Sequence, residues 1–101
     1  MDIADLLNFP NPMSDNTAFF FTLQAPATRM TMQIFTVSGK KIYEAAEGNL
    51  TASYHQDRFA WDGRDFDGDE VASGVYVYRA VAYPTGQGEI AERFGKIILK
   101  R

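Results

Sequence analysis

The segment Met30 to Val37 sets Met30, Met32 and Ile34 against Thr31 and Gln33, the clearest period of two in the chain. Successive side chains of an extended strand point to opposite faces, so this pattern buries one face and wets the other. Similar short apolar segments recur along the chain, cut off by proline, glycine, asparagine and aspartate, and helix is nearly absent. A chain of this kind buries its apolar faces by packing sheet against sheet.

Seven segments fit the description. Ile3 to Asn8 reads as a partly paired first strand that stops at Phe9-Pro10-Asn11-Pro12, because proline lacks the donor a ladder needs. Residues 1–12 are thus a lead-in and first strand. Thr17 to Leu23 places Phe19, Phe21 and Leu23 on one face. Met30 to Val37 turns at Ser38-Gly39-Lys40, with Gly39 at positive φ, into Lys41 to Ala46. Past the turn residues Glu47-Gly48-Asn49, an edge-like fifth strand runs from about Ser53 to Trp61. Val75 to Tyr83 and Ala91 to Leu99 complete the set. The expectation is an all-β, seven-stranded immunoglobulin-like β-sandwich, one domain over residues 1–101.

Composition narrows the function. Hydrophobic residues at 46% and aromatics at 14% supply a core for this length. A net charge of −3 and a pI near 5.0 argue against a nucleic-acid partner, since Lys40-Lys41 and Lys100-Arg101 are too short for a basic face. No apolar run approaches a membrane span: Ala18-Phe19-Phe20-Phe21 is bounded by Asn16, Thr17, Thr22 and Gln24. The chain has no cysteine, which excludes disulfides and thiolate metal sites. Its single histidine, His55, has no second histidine or cysteine to share a metal and reads as an exposed side chain. Catalysis is not expected. Met1-Asp2-Ile3-Ala4-Asp5 has no basic start or long apolar run, so an exported protein would need a longer sequence than this one.

Individual residues sort by chemistry. Tyr76 stands where immunoglobulin-like sandwiches carry a tyrosine whose hydroxyl bonds back to nearby backbone, and Gly74 before it reads as a special backbone angle or a close approach. Trp61 ends a strand before a turn and reads as core rather than as a sugar-stacking platform. Asp62, Asp65, Asp67, Asp69 and Glu70 put five acids within nine residues. Calcium takes six to eight oxygens from such a compact loop, yet Gly63 falls where the EF-hand pattern needs its first aspartate. The loop reads as a solvated turn with Asx hydrogen bonds and no cofactor; calcium held by Asp62, Asp65, Asp67 and Asp69 is the alternative. Asn49-Leu50-Thr51 matches a glycosylation triplet. In the last strand Ile97 and Leu99 share one face, while Lys96, Ile98 and Lys100 share the other. Its lysines guard an edge, and the free edge or the terminal Lys100-Arg101 is also a candidate for a partner's strand addition.

Five landmarks in order carry a resemblance: Phe9-Pro10-Asn11-Pro12, Met32 to Gly39, Trp61-Asp62-Gly63-Arg64-Asp65, Gly74-Val75-Tyr76 and Lys96-Ile97-Ile98-Leu99-Lys100. Together they resemble the immunoglobulin-like domain named after the flagellar hook-capping protein FlgD, and the C-terminal domains that direct proteins through the type IX secretion system. Pro12 to Thr17 with Ile34 to Gly39 is similar to the C-terminal domain of the gingipain-like sortases of that system. Thr36 stands where an aspartate is common in the family. The resemblance implies a non-catalytic sorting and docking domain, secreted or at the surface of a Gram-negative bacterium and associated with its outer membrane. Its implied partners are the type IX translocon, an outer-membrane shuttle protein and the sortase, which removes the domain from ordinary cargo. In the sortase itself the domain is retained and the catalytic residues lie upstream. Gly74, Tyr76, Lys96, Ile98, Lys100 and Arg101 are the implied recognition residues. Two other roles suit the same sandwich, a structural accessory module of an extracellular enzyme and a carbohydrate-binding module with exposed aromatics.

Overall fold

The computed structural model describes residues 2–101, so Met1 and the side chain of Asp57 lie outside the described residues. The strands are β1 (Ile3–Phe9), β2 (Thr17–Leu23), β3 (Ala27–Thr36), β4 (Lys41–Leu50), β5 (Tyr54–Trp61), β6 (Gly74–Pro84) and β7 (Ala91–Leu99). They form a three-stranded sheet in the order β1-β2-β5 and a four-stranded sheet in the order β4-β3-β6-β7, every neighbour antiparallel. The expected count of seven falls one short. Met13 makes an eighth extended segment, bridging in parallel to Leu99 at the outer edge of β7.

The alternating residues meet between the sheets. Phe19, Phe21 and Leu23 from β2 face Met30, Met32 and Ile34 from β3, with Tyr76 and Tyr78 from β6 and Ile97 and Leu99 from β7. Each fully buried large apolar side chain contributes roughly 1.5–3 kcal/mol. Trp61 is core: its ring meets Tyr76 edge-on at 5.5 Å, and its indole N–H donates to the Arg64 carbonyl at 2.9 Å. Phe19 packs edge-on against Tyr78 at 5.0 Å. Gly39 has φ of 96° at the β3–β4 turn, as hairpin chemistry requires.

Two local expectations are corrected and a third is narrowed. β4 runs through Glu47-Gly48-Asn49 to Leu50, because pairing of Arg29 with Gly48 and Ala27 with Leu50, and burial of Leu50, override the local turn signal. His55 is buried, 6% exposed, on the inward face of β5. Its ring stacks on Phe21 at 5.2 Å, and Nε2 lies 2.8 Å from the Thr51 carbonyl, which satisfies the polarity that exposure was expected to satisfy. At Gly74, φ is 158°, a backbone angle that side chains rarely adopt, and an added Cβ would meet nothing within 4 Å, so of the two expected reasons the special angle holds and the close approach does not.

Candidate docking surface at the C-terminal strand

β7 ends the four-stranded sheet, and its pairing with β6 sets Ile98 beside Val75 and Lys96 beside Val77. Ile97 and Leu99 point inward, whereas Lys96, Ile98 and Lys100 point out. Val75 and Ile98 are 44% and 43% exposed, an apolar pair flanked by two lysines. Among the described residues neither lysine has an ion-pair partner. The surface therefore offers apolar contact and uncompensated positive charge together.

The edge of this strand is not free. Met13 N–H donates to the Ile98 carbonyl and Lys100 N–H to the Met13 carbonyl, both at 2.8 Å. Proline at position 12 has no N–H to continue a ladder, and the Asn11 side chain takes its place. Asn11 Nδ2 donates to the Lys96 carbonyl at 3.1 Å, and Asn11 Oδ1 accepts from Ile98 N–H at 2.9 Å. The strap is fixed from beneath by Asn8 Nδ2 donating to Thr17 Oγ1 at 3.1 Å and Thr17 Oγ1 donating to the Pro10 carbonyl at 2.8 Å. Met13 itself is buried in the core. Strand addition over residues 96–100, expected from the sequence, is thus blocked by this chain's own residues 11–13. The outward face of β7 stays open.

Arg101 is turned inward. Its Nη2 donates to the Gly63 carbonyl at 2.8 Å, Nε to the Val71 carbonyl at 3.2 Å, and Nη1 to Glu70 Oε2 at 3.2 Å and the Ser14 carbonyl at 3.4 Å. Gly63, at φ of 75°, leaves the room: a Cβ there would lie 2.6 Å from Arg101 Nη2. Tyr76 is also buried, and its hydroxyl donates to the Ala72 carbonyl at 2.5 Å, the tyrosine-corner geometry expected from the sequence. Burial raises the Tyr76 phenol above its ordinary value, and the nearby Arg101 charge offsets part of the rise. Of the six residues named for recognition, Lys96, Ile98 and Lys100 form one outward surface; Tyr76 and Arg101 hold the loop of residues 62–73 instead, and Gly74 opens β6 opposite Leu99.

In that loop Asp65 Oδ1 accepts from Asp67 N–H at 2.9 Å and Asp69 N–H at 3.0 Å. The carboxylates of Asp65, Asp67 and Asp69 lie within 4.8 Å of one another, and Asp62 is not among them. Asp62 Oδ1 instead accepts from Arg64 N–H at 3.1 Å, and Arg64 Nη1 donates to the Gly68 carbonyl at 2.8 Å. The backbone donors on Asp65 Oδ1 make the expected Asx turn, and three of the four aspartates considered for calcium share one cluster.

The strap was missed in the sequence, where the asparagine between two prolines is its one signal. Gly95 was missed too. It lies opposite Tyr78, and a Cβ there would come within 2.2 Å of the tyrosine ring. A bare glycine across from an aromatic residue was the available sign.

The family model described as the FlgD Ig-like domain matches residues 12–86, from the strap through β6. The chain belongs to this family. The FlgD Ig-like domain of this chain is 31% identical over 80 residues to the basal-body rod modification protein FlgD of Salmonella typhimurium, and equally to that of Salmonella typhi. The match takes in 79% of this chain and 34% of each relative, so the chain spans about a third of their length. Among solved structures it is similar to dimeric latent PorU from Porphyromonas gingivalis, with a TM-score of 0.71 and 18% identity over 93% of this chain and 9% of PorU. FlgD from Pseudomonas aeruginosa gives a TM-score of 0.65 at 16% identity, over 97% of this chain and 67% of that one. FlgD from Xanthomonas campestris gives 0.66 at 16% identity, over 94% and 66%. β7 lies beyond the matched residues of the family model.

Proposed function

We propose that this FlgD-type immunoglobulin-like domain is a non-catalytic sorting and docking module of type IX secretion, recognised at the outer membrane by the translocon and its shuttle protein. The observation that carries the reading is the outward face of β7, where Lys96 and Lys100 stand unpaired around the exposed Ile98–Val75 pair. Exposed apolar contact framed by uncompensated charge is the chemistry of a protein-docking patch. The fold shared with PorU agrees with a domain of this kind, either removed from cargo by the sortase or retained in the sortase itself. The parent protein would be secreted or held at the surface of a Gram-negative cell, with any catalytic machinery outside this domain.

A second reading is favoured by the 31% identity to the Salmonella FlgD proteins: a module of a basal-body rod modification protein, acting in flagellar hook capping. The test is a reporter with a signal peptide at its front and residues 1–101 at its end, expressed in matched cells with and without a working type IX translocon. Delivery to the surface or medium only in the competent cells is the expected result. A folded fusion kept in the periplasm of both overturns the sorting reading and leaves the flagellar or accessory roles.

A further inference from the structure

The outer face of the three-stranded sheet carries a second surface, on the opposite side of the sandwich from the outward face of β7. Leu7 and Phe9 from β1, Phe20 from β2 and Tyr54 from β5 line a groove of about 430 Å³ with Asp5. Phe9 and Tyr54 are 68% and 58% exposed. The volume lies in the usual range of ligand clefts, and the walls are almost wholly apolar.

A bulge in β1 builds this groove. Ala4 pairs with Thr22 and Leu7 with Phe20, so three steps on β1 match two on β2, and Asp5 takes φ of 53° within the bulge. The extra residue shifts the alternation by one. It turns Leu7 and Phe9 outward beside Phe20 and Ala18, and sends Asn8 inward to Thr17. An unshifted strand would have put Leu7 in the core, where an apolar residue costs nothing.

Asp5 decides the occupant. Among the described residues it is the one charged residue lining the groove, and its carboxylate has no hydrogen bond or ion pair with any of them. Arg93 pairs with Asp2 and Arg58 with Glu47. A purely apolar occupant would strip water from this carboxylate without replacing it. A second copy docked groove to groove by two-fold symmetry sets another aspartate against this one, with no cation among the described lining residues. A glycan would find too few polar groups for its hydroxyls. We infer that the groove binds a polypeptide segment of a partner that lays a bulky apolar side chain on Phe20, between Leu7 and Tyr54, with a lysine or arginine beside it on Asp5.

The test is an NMR titration of the ¹⁵N-labelled protein with an amidated, acetylated peptide of lysine, leucine, phenylalanine and lysine, and with a counterpart carrying glutamate for both lysines. The lysine peptide should shift Asp5, Leu7, Phe9, Phe20 and Tyr54, and the glutamate peptide should bind at least roughly tenfold more weakly. D5N, which keeps a residue at ease at positive φ, should weaken the lysine peptide about tenfold with the thermal midpoint unchanged. L7S should abolish binding. Equal binding of the two peptides, no binding of either, shifts confined to the β7 face, peptide-free dimerisation through these residues, or the same shifts with chito-oligosaccharides instead would each overturn the inference. The sorting reading stands or falls separately, since its residues lie on the other sheet.

Discussion

Arg101 donates to the Gly63, Val71 and Ser14 carbonyls and to Glu70, and these bonds hold the loop of residues 62–73 to the end of β7. Hydrogen bonds from a charged group contribute about 1.5–3 kcal/mol when their partners would otherwise be stranded. R101A should therefore lose about 2 kcal/mol in thermal or urea unfolding, whereas K100A, which touches solvent, should stay within about 0.5 kcal/mol. Gly95 makes a second demand on a single position. Its missing Cβ is where the Tyr78 ring sits, and that ring is held by Phe19, so G95A should cost roughly 1–3 kcal/mol in the same measurement. The buried phenols add a pH limit. Burial raises both Tyr76 and Tyr78 above the ordinary 10.0. A raised phenol stays neutral in the fold where the unfolded chain ionises. Its contribution is whole below about pH 10 and is lost as pH rises through the raised values. The urea midpoint should fall above pH 10, and Y78F should shallow that fall.

At the scale of elements, the strap of residues 11–13 matters most, because it turns an edge strand into a covered one. N11A should speed hydrogen exchange at the Ile98 amide, which Asn11 Oδ1 accepts, while Ile97, whose backbone faces β6, keeps its protection. Equal loss at both amides would show that the strap supports the whole strand rather than its edge. The strap also marks where the sequence stops being readable. β2 and β7 were legible to the residue because strict alternation and turn chemistry agree there. β4 was read short because Gly48 and Asn49 say turn locally, and only pairing with Ala27 and Arg29 carries the strand on. Asn11 and Met13 bond to residues more than eighty positions away, which no local pattern encodes. His55 was misread for a similar reason: its polar neighbours alternate with an inward face that continues through Phe59 and Trp61.

The whole molecule presents two sheets with different outer chemistry. The four-stranded sheet shows Val75 and Ile98 between lysines, and the three-stranded sheet shows aromatic and aliphatic residues around one carboxylate. Membership of the sandwich class followed from strand count and turn spacing, but the sheet order did not, since alternation does not say which strands pair. The candidate site was legible as residue types on one face of the last strand. That this face stays open, with the edge sealed and Arg101 turned inward, required the fold. The central claim is that Lys96 and Lys100 are read by a partner rather than serving only as solubilising charges. The most direct measurement compares delivery of a reporter ending in the wild-type domain with one ending in the K96E/K100E domain, in translocon-competent cells, with thermal midpoints of both purified domains. Equal midpoints with surface delivery lowered at least roughly tenfold are the expected result, the loss expected when a docking patch meets like charge. Equal midpoints with equal delivery would contradict the claim.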